Sequence, residues 1–303
     1  MRVVRSEPPG TTTGAETVQE ALRNAEPVSL PPNQTAPIRP LGTRNGHYYF
    51  MTPANELRDM RAEALEAGRG VRALLSGMGS EIDEWCENNF PDIREKWSAK
   101  KAGLWIIEVC NQKGIFDPAA TNILSVGVWR DKNDRAVAHC GDCWIDADGR
   151  RHELHGNQAD VMVSAQVISE PHISPAAAAS AKNLLRRLEI GWGWARPEDA
   201  AIALGWAAAA ALGGFPNKRP HLYINGSRGS GKSTFMGLVS DLLGDFGGKV
   251  LTNTTEAGIR QARNNQARPI LVDEFEPEGN QRTAGQQDAF LALARSMYDG
   301  AGG

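Results

Sequence analysis

One stretch of this sequence has residue types and spacing suited to phosphate chemistry: Gly226, Ser227, Arg228, Gly229, Ser230, Gly231, Lys232, Ser233 and Thr234. It fits the pattern GxxxxGK[ST]. A polyphosphate is held by backbone N–H groups that converge on it, and a chain can wrap that closely only where Cβ atoms are absent. Gly226, Gly229 and Gly231 supply that freedom, and Ser227, Arg228 and Ser230 complete the loop. Lys232 is expected to reach the β and γ phosphates, the Ser233 hydroxyl to ligate Mg²⁺, and Thr234 to contact the α phosphate. The alternative reading is an ordinary Gly/Ser turn, which would require neither a strand before it nor a helix after it.

A phosphate cradle alone hydrolyses nothing, so a metal-side acid and a group that activates water are needed as well. The stretch from Ala267 to Glu274 offers both. Ile270, Leu271 and Val272 read as a buried strand, with Asp273 and Glu274 at its C-terminal end, where parallel α/β sheets hold their ligands. Asp273 is expected to hold Mg²⁺ through water and Glu274 to polarise the attacking water. The competing reading is a strand that happens to end in surface acids. A water-activating glutamate favours hydrolysis over transfer to a substrate hydroxyl, so a nucleotide kinase ranks behind an ATPase. The expected catalytic groups are Lys232 and Glu274, with ATP and Mg²⁺ as cofactors.

Several elements must position these groups. His221–Gly226 reads as the strand that delivers the loop, and Thr234 onward as a helix whose positive end faces the phosphates. Between the motifs lie a strand-like Val250-Leu251 and a helix from Glu256 that Thr255 can cap. Arg260, Arg263 and Arg268 form the most basic local patch, read as a solvated helix face or as a contact to DNA or to a neighbouring subunit's nucleotide. Past Glu274, Phe290, Leu293 and Met297 recur at helical spacing and are expected to face inward. Upstream, residues 1–40 read as a flexible leader. His47–Met51 reads as a strand, and Thr52-Pro53 as the start of a helix running through Glu56–Gly68. Leu104, Ile107 and Val109 are expected core, and Ile123–His155 a β-meander. Two helices follow, the second with Pro197 and Glu198 in its first turn and the alanine-rich Ala200–Phe215 buried. The expected fold is α/β: a P-loop NTPase core with a parallel sheet over residues 197–303, preceded by a mixed α+β accessory domain over 41–196.

With 303 residues and 41% apolar content, the chain can bury a core, and 33 basic against 36 acidic side chains leave a net charge of −3. No global positive field draws nucleic acid, so any such contact is local. Cys86, Cys110, Cys140 and Cys143 are too few and scattered for a secreted disulfide framework, which points to a reducing cytoplasm. No secretory signal or membrane span is read, and no membrane partner is expected. His139, Cys140 and Cys143, with His152 and His155 beyond, lack the paired ligand spacing of a zinc site and read as strand packing. Trp129, Trp144, Trp192 and Trp194 read as core rather than base-stacking surfaces. Arg130, Lys132, Arg135, Arg150 and Arg151 are the best candidate outside the ATPase part for a DNA or partner contact.

The two motif stretches, Arg219–Thr234 and Asn253–Glu276, resemble the helicase half of phage and mobile-element primase-helicases, superfamily 3-like, AAA+ related P-loop ATPases. Leu41–Leu57 and Trp85–Pro91 resemble it more loosely. The resemblance implies a homo-oligomeric ring, usually a hexamer, that hydrolyses ATP at subunit interfaces and moves on single-stranded DNA during replication. It carries Lys232, Ser233, Asp273 and Glu274 into the roles derived above. Such ATPases place a polar sensor, a pore loop and an arginine finger after the acid pair, and only one helix and Asp299–Gly303 are available for them here. The ATPase domain is therefore expected to be truncated at its C-terminus. The alternatives are a non-helicase P-loop ATPase, such as a loader, switch or defence protein, and a truncated nucleotide-binding module.

Overall fold

A computed structural model describes residues 36–75, 79–154, 161–172, 178–248, 250–252, 254–263, 265–273 and 281–298, with side chains described from Asp288 onward in the last segment. Glu274, His155 and most of the expected leader lie outside the described residues. The chain is mixed α/β with several small sheets among the described residues, two of them parallel and the largest antiparallel. It divides into two units, one comprising residues up to Phe50 and Asp59–Gly114, the other Met51–Arg58 and the residues from Ile115 onward.

The strands β1 (Arg39–Arg44), β2 (His47–Met51) and β3 (Leu57–Arg61) form a sheet in that order. Asn45 and Gly46 both have positive φ (52° and 75°), as a tight two-residue hairpin turn requires. The helix expected from Thr52 is not formed until α1 (Ala62–Glu66). The Thr52 N–H donates to the Glu56 carbonyl (2.9 Å) and its hydroxyl accepts from the Glu56 N–H (3.1 Å), while Asn55 turns at φ 58°. This loop returns the chain to the sheet as β3, because side-chain and turn hydrogen bonds compete with helix nucleation.

Three further helices follow among the described residues: α2 (Val71–Leu75), α3 (Ser80–Asn89) and α4 (Ala99–Lys113). The buried stripe of α4 is Ala102, Trp105, Ile106 and Cys110, one turn apart on a single face, whereas Leu104, expected in the core, is exposed. Trp85, Phe90 and Trp105 pack with ring centroids 5.3–5.8 Å apart. The approach of α1 to α4 depends on Gly103, where a Cβ would lie 2.0 Å from the Leu65 carbonyl oxygen. Gly103→Ala should lower stability by about 2–3 kcal/mol, since backbone cannot step aside as a side chain does; a shift of the denaturant midpoint checks this.

In the second unit β5 (Gly127–Arg130), β6 (Ala136–His139), β7 (Cys143–Ile145) and β8 (Arg151–Glu153) make an antiparallel meander. Both of its polar hairpin loops use one device: Asp131 Oδ1 accepts from the Asn133 and Arg135 N–H groups, and Asp146 Oδ1 from those of Asp148 and Arg150. A hydrogen bond from His152 and the Arg150 N–H bring the Asp146 carboxyl down to about 2. Beside the meander, β4 (Ile123–Leu124) pairs in parallel with β9 (Val161–Met162).

His139 is fully buried in β6, and its Nδ1 accepts the Gly141 N–H at 3.1 Å. Burial lowers its pKa to about 4. The unfolded chain therefore takes up this proton first as the pH falls through 6.5, its unperturbed value. The stability gained by burying the neutral ring is complete above that pH and is lost between there and about pH 4, a change of about 3 kcal/mol. Denaturant midpoints at pH 7 and pH 4.5 should differ more in wild type than in His139→Gln.

The remaining elements are α5 (Ala178–Gly191), α6 (Asp199–Ala211), α7 (Lys232–Leu243), a short 3₁₀ turn (Gly244–Phe246), β10 (Leu251–Thr252), α8 (Glu256–Ala262), β11 (Val272–Asp273) and α9 (Gln281–Tyr298). Helix α6 buries only the stripe Ala200, Ala203 and Ala207; Ile202 is exposed, so this helix is packed on one face rather than buried throughout. Among the described residues no helix is long and apolar enough to cross a membrane.

Candidate functional site

The helix that follows the glycine loop forms as its pattern requires. Phe235, Val239 and Leu243 recur every four residues on α7 and are buried with Leu188, Ala200, Ala203 and Leu271. Leu222 and Ile224 pack against this same cluster, while His221, Tyr223 and Asn225 point outward. Exposure alternates over residues 221–225, but residues 221–227 carry no sheet ladder. The strand expected at His221–Gly226 is replaced by a segment without regular secondary structure, half-buried at Leu222 and Ile224. The parallel ladder in this region is, among the described residues, that of β10 with β11, in the register Leu251 to Val272 and Thr252 to Asp273, with an isolated parallel bridge from Ala267 to Gly127. The expected strand over Ile270–Val272 shortens to Val272–Asp273, with Leu271 buried just before it.

Two expected parts of a phosphate site thus share one core: Leu222 and Ile224 lead into the loop, and Leu271 leads into Asp273. The loop turns at Gly229 (φ 80°) and Gly231 (φ 86°, ψ 16°), and Gly231 is the residue before the first turn of α7. These left-handed conformations strain any residue with a Cβ. The Ser230 N–H donates to the Ser227 carbonyl at 3.2 Å. Lys232 folds its ammonium back over the loop, donating to the carbonyls of Gly226 (2.6 Å) and Ser227 (3.1 Å). Ser227, Arg228, Gly229, Ser230, Ser233 and Thr234 are exposed.

Beneath the loop sit two tryptophans. Trp192 Nε1 donates to the Gly231 carbonyl at 3.1 Å, and Trp194 Nε1 to the Leu188 carbonyl near the end of α5 at 2.7 Å. Both indoles meet Phe235 edge-on, at 5.7 and 5.4 Å between centroids. Trp192 and Trp194 pack as expected of core aromatics, but the hold of Trp192 on the loop has no sequence signature. A packed indole must donate its N–H somewhere, and nothing in the local sequence says where.

The basic residues are less available than their sequence suggests. Arg260 pairs with Glu256 one turn away on α8, at 2.5 Å. Arg263 instead turns its guanidinium against Gly248 and toward the Gly247 carbonyl, and burial lowers its pKa and that of Arg268. These three do not share one solvated face. In the meander, Arg130 pairs with Asp134, Arg135 with Asp131 and Asp148, Arg150 with Asp148, and Arg151 with Asp142 and Glu170. Each of these four cations has a local carboxylate, which a phosphate backbone would have to displace. Cys140 and Cys143 are buried, and burial pushes their thiols up to about 12 and about 11. Among the described residues no cluster of three or more His, Cys, Asp or Glu is arranged to hold a metal ion.

No protein-family model matches this chain, and no curated protein sequence matches it.

Proposed function

We propose that this chain is a Mg²⁺-ATP-dependent hydrolase with a P-loop core, of the helicase or translocase kind that works in phage or mobile-element DNA replication. The observation that carries this reading is the loop from Gly226 to Lys232: it turns through two left-handed glycines into the N-terminus of the twelve-residue helix α7 and bends its lysine over its own carbonyls. The donor set fits a polyphosphate: exposed backbone at a helix N-terminus, one ammonium, and exposed hydroxyls on Ser233 and Thr234.

Within this reading the loop N–H groups and Lys232 bind and orient the phosphates, and Ser233 and Asp273 hold Mg²⁺. The metal supplies charge neutralisation at the transferring phosphate. Glu274 accepts a proton from the water that attacks the terminal phosphorus, so that ATP and water give ADP and phosphate. The ring-shaped homo-oligomer and the single-stranded DNA rest on the resemblance of the motif stretches.

A second reading, a P-loop ATPase that does not move on DNA, is favoured by one observation. The meander arginines that could have bound a DNA backbone are each paired with a carboxylate. ATP turnover measured with and without single-stranded DNA, in wild type and in Glu274→Gln, separates the possibilities. Turnover stimulated by DNA and lost in the variant is the expected result. Turnover indifferent to DNA supports the second reading, and nucleotide binding without turnover supports a binding module.

A further inference from the structure

We propose that Trp192 is a positioning residue for the phosphate loop, holding the Gly231–Lys232 peptide in the orientation that aims its N–H at a bound phosphate. This rests on the reading of the loop as a phosphate site. The Gly231 carbonyl accepts two hydrogen bonds, from the Phe235 N–H of the first helical turn at 2.9 Å and from Trp192 Nε1 at 3.1 Å. A trans peptide is planar, so its N–H points opposite to its C=O. Holding the Gly231 carbonyl toward the helix and the indole therefore turns the Lys232 N–H the other way, out of the helix start.

Without the second bond this carbonyl is held by the first helical hydrogen bond alone. Gly231 has no Cβ to restrict rotation, and it already occupies a left-handed conformation at φ 86°, from which the peptide plane can flip. The indole also closes the space at that point: a Cβ on Gly231 would lie 3.0 Å from Trp192 Nε1. The ring itself is fixed. Its edge-on contact with Phe235 is matched on the same phenyl ring by Trp194, which is anchored to the Leu188 carbonyl of α5. The Trp192-Gly193-Trp194 segment thus ties the end of α5 to both the core and the loop of α7.

Trp192→Phe removes the donor and keeps an aromatic ring against Phe235, and Trp194→Phe is the matched control that leaves the Gly231 bond in place. The experiment is residue-resolved amide hydrogen exchange on the ligand-free chain, with Mg²⁺-ADP titrated into the same samples. In Trp192→Phe, exchange at Ser230 and Phe235 should quicken by about threefold or more while Val239 and Leu243 keep their protection, and ADP should bind about three- to tenfold more weakly. Trp194→Phe should leave both loop amides unchanged. Equal loop exchange in wild type and Trp192→Phe overturns the proposal, as does an equal loop effect in Trp194→Phe, since that would be general loosening of the aromatic core. If wild type binds no ADP but the loop amides still respond to Trp192→Phe alone, the hold on the peptide stands and the nucleotide reading of the loop falls.

Discussion

Replacing Lys232 by alanine should reduce ATP turnover by about a hundredfold or more while leaving the fold intact. The size of the loss follows from the role: a positioned cation acts where charge develops on the transferring phosphate, and removing one such donor from a preorganised site costs about that much in rate. The intact fold follows from the structure. Among the described residues the ammonium donates to the exposed carbonyls of Gly226 and Ser227, which water can satisfy, and the core face of α7 is carried by Phe235, Val239 and Leu243. The check is steady-state phosphate release together with thermal unfolding of the same preparation. A variant with wild-type turnover would remove the loop from the chemistry altogether.

The second large effect is structural and falls far from the loop in sequence. Gly213→Ala should destabilise the second unit by about 4 kcal/mol or more. At Gly213 the backbone is left-handed (φ 50°), and a Cβ would stand 2.0 Å from the Ala267 carbonyl oxygen. That carbonyl cannot retreat, because Ala267 is fixed from the other side: its N–H donates to the Val126 carbonyl at 3.0 Å, and it bridges in parallel to Gly127. The neighbouring Gly214 N–H donates to Val128 at 2.8 Å, and the Arg130 guanidinium lies 4.7 Å over the Phe215 ring while donating to the Phe215 carbonyl. The chain leading into β11 is thus clamped between the end of α6 and the first strand of the meander. Because Asp273 ends β11, the same substitution should also weaken Mg²⁺-ADP binding. Chemical denaturation monitored by tryptophan fluorescence, with ADP titration below the transition, measures both.

How much was legible beforehand depended on the range of the interaction. Phe290 and Met297 are half-buried and Leu293 is buried on α9, as their helical spacing indicated. Thr255 caps α8, its hydroxyl accepting the Gly258 N–H at 3.1 Å, because the cap and its partner lie three residues apart. The meander was readable from its Asp-bearing turns. Where a distant partner decided the outcome, the local signal misled: Leu57–Arg61 has helix-forming residues but joins a sheet, and Leu104 sits one position off the face that α4 buries.

By itself the sequence determined that a glycine loop gives way to a helix and which face of that helix is apolar, since glycine placement, capping and a 3.6-residue period are properties of neighbouring residues. The tertiary structure alone decided that Trp192 bonds the loop's last carbonyl, that the meander arginines are met by local carboxylates, and that Ala267 is pinned between Gly127 and the Gly213-Gly214 pair. Hydrogen-bond acceptors and close backbone approaches are made by residues far apart in the chain, and their identity depends on which surfaces pack rather than on which residues adjoin.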